Sequence, residues 1–219
     1  MQVNRTYPIT RLLLMTAWAM LAAATSQATS LSFHVDVNTS SLVGNLNGPF
    51  SLDFQLNDGG GTMTNVVSLS NFIFTNGAPT GAANLIGGAT GNLSSGVTLT
   101  DALFFSNEFY QGFSATTTHI GFNVSMTQNV EPGIPDAFSM AILDSSLSNI
   151  PTTGLGDSLL LVNIGSSPLH FSDIQLFRST APDSGVTVAA TPEPGTVGLV
   201  LGSGLIALGW GVRRKYAAN

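Results

Sequence analysis

Alternation with a period of two runs through the middle of this chain, and it constrains the fold more than any other feature. Leu31, Phe33, Val35 and Val37 alternate with Ser32, His34, Asp36 and Asn38. Phe50, Leu52, Phe54 and Leu56 alternate with Ser51, Asp53, Gln55 and Asn57. Val97 and Leu99 continue the pattern toward Leu103 and Phe105, and it returns in Ile120–Met126 and Phe138–Ile142. Successive side chains of a strand point to opposite faces, so each run predicts a strand with one apolar and one polar side. Turn formers separate the runs: Asn47-Gly48-Pro49, Asp58–Gly61, Gly87-Gly88, Glu131-Pro132-Gly133 and Ser166-Ser167-Pro168. Between Thr29 and Ala190 nothing holds helical spacing over three turns. The pattern predicts an all-β fold, an antiparallel two-sheet β-sandwich of jelly-roll type with about eight to ten strands. Asn76–Gly96, rich in Gly, Ala and Asn, reads as a long loop or a bulged edge, and Ser179–Thr191 as a flexible stalk.

Both ends carry addresses. Arg5 and Arg11 precede the apolar stretch Leu12–Ala24, and Ser26-Gln27-Ala28 supplies small residues where a signal peptidase reads. Residues 1–28 are therefore expected to be a secretory signal peptide cut after Ala28, with a cut after Ala24 as the alternative. The other end runs Pro192-Glu193-Pro194, then the uncharged stretch Thr196–Val212, then Arg213-Arg214-Lys215. As a helix the uncharged stretch spans roughly 25 Å, close to a bilayer's ~30 Å hydrocarbon core, and three cations beyond it favour a cytoplasmic end. Gly198 and Gly202 fit the small-xxx-small spacing of paired membrane helices.

This tripartite tail, residues 192–219, resembles the PEP-CTERM sorting signal of Gram-negative bacteria that make exopolysaccharide. The resemblance implies recognition and processing by an exosortase. Gly195 stands where that family usually has Ser or Thr, with Thr196 one place later. Val37-Asn38-Thr39-Ser40, Phe50–Phe54 and Asn71-Phe72-Ile73-Phe74 also resemble a recurrent group of small PEP-CTERM ectodomains with no established activity. The expected organisation is a signal peptide (1–28), a β-sandwich ectodomain (29–178), a stalk (179–191) and the sorting signal (192–219), whose membrane helix is 196–212.

Charge narrows the chemistry. Only 8% of residues are charged, against roughly 25% in typical soluble domains. Of the six cations, Arg178 alone lies between the two addresses, facing every carboxylate of the chain except Glu193. Such a domain has no phosphate-neutralising surface, which excludes nucleic acid. The absence of cysteine excludes thiol catalysis, thiolate zinc sites and iron–sulfur clusters.

Few residues suggest chemistry. His34, His119 and His170 are scattered, with no metal-binding spacing and no G-x-S-x-G elbow nearby. His34 and Asp36 share the polar side of the first strand. Ser172-Asp173-Ile174-Gln175-Leu176 resembles the closing strand of jelly-roll carbohydrate-binding modules, where the aspartate holds a structural calcium. On that resemblance Asp173 is a weak calcium ligand, with Asp36 as its neighbour; a turn or cap role for Asp173 is the alternative. Asn57–Gly61 resembles a calcium loop superficially, and a tight polar hairpin explains it equally. Tyr110, the one tyrosine between the two addresses, lies in Glu108–Phe113 and is the best sugar-stacking candidate; Phe109 and Phe113 fit a core equally well.

The expectation is a non-enzymatic exported protein, sorted by its tail from the inner membrane to the cell surface or an exopolysaccharide matrix. Its processing partners would be signal peptidase and an exosortase. No cofactor is expected, with calcium left open. A calcium-dependent carbohydrate-binding module is the alternative. A polysaccharide hydrolase is a further one and requires two carboxylates facing each other across a cleft.

Overall fold

The computed structural model describes residues 30–60, 64–129, 133–165, 169–180 and 185–192. The expected signal peptide, the apolar span 196–212 and the basic cluster Arg213–Lys215 lie outside the described residues. Among the described residues no helix is long and apolar enough to cross a membrane.

Two antiparallel sheets of six strands each form a sandwich. The strands are β1 (Leu31–Asn38), β2 (Ser51–Asn57), β3 (Val66–Thr75), β4 (Pro79–Ile86), β5 (Thr90–Asn92) and β6 (Gly96–Thr100). They continue with β7 (Ser106–Phe113), β8 (His119–Met126), β9 (Asp136–Leu143), β10 (Leu160–Ile164), β11 (Gln175–Leu176) and β12 (Thr187–Pro192). The first sheet runs β12-β1-β8-β3-β6-β5 and the second β11-β10-β9-β2-β7-β4. The twelve strands exceed the eight to ten expected, because short or polar edge strands carry little alternation of their own.

The alternation is the core. Phe33, Val35 and Val37 of β1, Leu52, Phe54 and Leu56 of β2, and Ile120, Phe122 and Val124 of β8 are all buried between the sheets. Phe54 sits at the centre, edge-on to Phe122 at 5.4 Å and within 6.5 Å of Phe72, Phe109 and Phe138. Phe109 and Phe113 are core, the plainer of their two readings. Strand β3 would lose its phase halfway along, but Asn71 adopts φ 55° and the register with β8 shifts between Ser70 and Ile73. The extra residue of this bulge moves the following side chains by one place, so Phe72 and Phe74 rejoin the core below Val67 and Leu69. Asn tolerates the left-handed region better than other non-glycine residues.

Three expectations need correction, and a fourth resolves to one of its two alternatives. Thr187–Pro192, expected in a stalk, pairs with β1 from Phe33↔Pro192 to Asn38↔Thr187 and closes an edge of the first sheet. Small side chains with little apolar signal hide a strand that pairs through its backbone and packs only Val188 and Ala190 on the core. Pro192 is tolerated because it ends an edge strand, where no ladder donor is needed. Asn76–Gly96 contains β4 and β5, the far edges of the two sheets; β4 carries a register shift between Thr80 and Asn84, which is the bulged-edge alternative. Asp58–Gly60 is not part of a hairpin, since β2 and β3 lie in different sheets. Leu103 and Phe105 do not extend β6; they lie in the loop before β7, exposed.

Candidate functional site

The outward side of the second sheet gathers the polar half of its alternation. In β2 the inward residues are Leu52, Phe54 and Leu56, so Ser51, Asp53, Gln55 and Asn57 face out. In β7 the inward residues are Asn107, Phe109, Gln111 and Phe113, so Glu108, Tyr110 and Gly112 face out. Antiparallel pairing sets these side by side. One row across the strands reads Asn84, Tyr110, Asp53, Ala141, and the next reads Ile86, Glu108, Gln55, Ser139, Leu161. Opposed Cα atoms in such a ladder are roughly 4.5 to 5.5 Å apart, so neighbouring side chains touch.

Asp53 is the unusual member, only 1% exposed although it points outward. Its Oδ2 accepts a hydrogen bond from Gln55 Nε2 at 2.8 Å, while its buried Oδ1 receives none. Burial pushes its carboxyl up to about 7, with the Glu108 carboxylate beside it acting in the same direction and the Gln55 amide opposing. Asp53 is therefore largely protonated below neutrality. At this depth a sugar cannot reach it, so Asp53 and Glu108 do not form the cleft with two accessible carboxylates that a hydrolase needs. Half-buried Tyr110 and Glu108, with Gln55 and Asn84, supply one ring face, one carboxylate acceptor and two amides. This set suits the hydroxyls and apolar faces of a neutral saccharide.

The other candidates lie elsewhere. Asp36 faces outward on the first sheet, opposite Ala189 of β12 and Gly121 of β8. On the same side His34 Nδ1 lies 2.7 Å from Asn123 Oδ1. Asp173 ends a 3-10 turn (Phe171–Asp173) before β11, and its Oδ2 accepts the backbone N–H of His170 at 2.7 Å. That is the cap role, in an open depression of about 370 Å³ shared with Asn163 and Gln175. Among the described residues no group of three or more His, Asp or Glu side chains is placed to hold a metal. Of the sorting residues, Pro192 ends β12, while Glu193, Pro194 and the basic cluster lie outside the described residues, as does Ala28.

A second acidic group escaped the sequence. At the end of the sandwich where β2 passes to β3, fully buried Asn65 donates its backbone N–H to Asp101 Oδ1 at 2.7 Å. Its side chain Nδ2 donates to Asp136 Oδ2 at 2.7 Å and its Oδ1 accepts the N–H of Asn129 at 2.8 Å. Gly59 donates to Asp136 Oδ1 at 2.8 Å. The chain passes so close here that a Cβ on Gly59 would collide with the carbonyl oxygen of Ile134. Burial raises the Asp101 carboxyl above the usual range; the Asn65 N–H opposes this, and neighbouring Asp136 and Asp58 reinforce it. Asp101 and Asp136 each stand at a strand boundary beside a loop, a weak signal that any turn residue would give.

No family model and no curated protein matches this chain. Among solved structures, one described as "pH-induced modulation of Streptococcus parasanguinis adhesion by Fap1 fimbriae" is similar at 12% identity and a TM-score of 0.26, over 78% of this chain and 77% of that one. A TM-score this low carries no argument about fold or function.

Proposed function

We propose that this is an exported, non-catalytic surface or matrix protein whose second sheet binds neutral polysaccharide through its outer face. The observation that carries the proposal is the pair of rows Asn84–Tyr110–Asp53 and Glu108–Gln55–Ser139, which surrounds the domain's one tyrosine with amides, a hydroxyl and a carboxylate. The pairing orders β1-β8-β3-β6 and β2-β7-β4 support the finer reading of a jelly roll, with β9 to β11 and β12 added at the edges. The signal-like N-terminus and the PEP-CTERM-like tail support export and exosortase sorting from the inner membrane. Neutral sugar is favoured over polyanions because Arg178 is the one cation between the two addresses.

Depletion of the protein from solution by the exopolysaccharide of the producing cells tests this, with calcium and with chelator. Retention of the wild type and loss with Tyr110→Ala are expected. Equal retention of both, or none of either, overturns the binding role. Retention that vanishes with chelator favours the calcium-dependent alternative.

A further inference from the structure

The chain leaves the sandwich at one identifiable end. β12 runs antiparallel to β1 and finishes at Pro192, opposite Phe33. Leu31, which opens β1, lies opposite Met126, and Met126 lies opposite Val67. The exit therefore lies at the end where β2 passes to β3, β6 to β7 and β8 to β9. After Pro192 only Glu193, Pro194 and Gly195 separate the strand from the uncharged run that begins at Thr196. Three residues reach roughly 10 Å when fully extended. With no stalk, a tail seated in a bilayer holds this end against the lipid surface.

Among the described residues, two loops at that end expose large apolar side chains. Leu103 is 84% exposed, Phe105 70% and Ile134 76%, with Phe104 also exposed. They converge from two loops: the Phe105 carbonyl accepts the N–H of Asp58 at 2.9 Å, and Gly59 next to it packs on Ile134. The Phe104 carbonyl accepts Asn107 Nδ2 at 2.9 Å. The carbonyls of Phe104 and Phe105 are thus bonded within the protein, while their side chains stand outside. That arrangement suits the headgroup–acyl boundary, where an unsatisfied backbone group is costly. No Lys or Arg lies in these loops, while Asp58, Asp101 and Glu131 do, so anionic headgroups gain nothing. Exposed Leu46, Leu147 and Leu155 lie at the opposite end, where no such segment follows.

We infer that the sandwich stands directly on a zwitterionic bilayer by its exit end, with Leu103, Phe104, Phe105 and Ile134 set into the lipid interface. This rests on the reading of Thr196–Val212 as a membrane segment. The natural lack of cysteine allows a clean test. Phe104→Cys, Leu46→Cys and Ala207→Cys are each made singly in the chain from Thr29 to Asn219, spin-labelled and reconstituted into phosphatidylcholine vesicles. Collision with oxygen, which partitions into lipid, is compared with collision with a water-soluble nickel chelate. The expected oxygen-to-nickel ratio is high at position 207 and several-fold higher at position 104 than at position 46. A lipid signature at 207 with equal values at 104 and 46 overturns the docking alone. A watery signature at 207 overturns the membrane segment, and the docking with it.

Discussion

The Nδ2 of Asn65 donates to Oδ2 of Asp136 across 2.7 Å, and both residues are buried. This one amide joins the start of β3 to the start of β9, while the Asn65 backbone reaches Asp101 beyond β6. Three loops between the two sheets are thereby closed on one residue. Asn65→Ala leaves Asp136 short of a donor and the Asn129 N–H without its acceptor. A buried polar group left unsatisfied costs about 1–3 kcal/mol, more beside a charge, so the variant loses about 3 kcal/mol in denaturant unfolding. An unchanged midpoint rules out this closing role.

Asp53 sets a pH dependence. Its folded carboxyl titrates at about 7 against 3.8 when free, so between these values the folded state holds a proton that the unfolded state has lost. Stability therefore falls as pH rises from about 4 through 7, by a few kcal/mol at most, because each tenfold change in proton affinity is worth about 1.4 kcal/mol. Melting temperatures are expected to drop between pH 5 and 8 in the wild type and to drop less steeply in Asp53→Asn, where Asp101, also raised to about 7, still titrates. A wild-type curve that rises toward pH 8 contradicts this role for Asp53.

Strand β12 makes a prediction that separates a strand from a stalk. A chain ended after Val186 exposes the edge of β1 from Phe33 to Asn38. Such an unpaired edge invites association between molecules. The shortened protein is expected to melt several degrees lower and to aggregate in sedimentation, whereas removal of a stalk leaves both unchanged.

Phe54 touches four other phenylalanine rings within 6.5 Å. Phe54→Ala opens a cavity between the sheets and loses about 3–5 kcal/mol. Phe105→Ala, in the exposed loop, shifts stability by less than about 0.5 kcal/mol. Chemical unfolding of both variants checks the contrast.

Much of the fold was legible because period-two alternation and burial are one fact. β1, β2, β8 and most of β9 lie where the alternation stands. Leu103 and Phe105 kept the same period yet lie outside it, since the chain crosses from the first sheet to the second between Thr100 and Ser106. β12 was hidden for the opposite reason: only Val188 and Ala190 of Thr187–Pro192 pack on the core, too few and too small to show a period in the sequence. Tyr110 could be singled out by its rarity. Asp53 could not, because an aspartate at an outward strand position looks solvated until neighbouring strands cover it. The Asn65–Asp101–Asp136 group was beyond reach, since residues 36 and 71 positions apart from Asn65 meet only after both sheets close.

Chemical-shift mapping of the isotopically labelled protein, titrated with a neutral oligosaccharide from its own matrix, tests the binding face most directly. Sugar binding at the second sheet predicts shifts clustered on Gln55, Asn84, Glu108 and Tyr110, with His34, Asp36 and Asn123 on the opposite sheet unmoved. Shifts confined to the first sheet, or none at saturating sugar, contradict it.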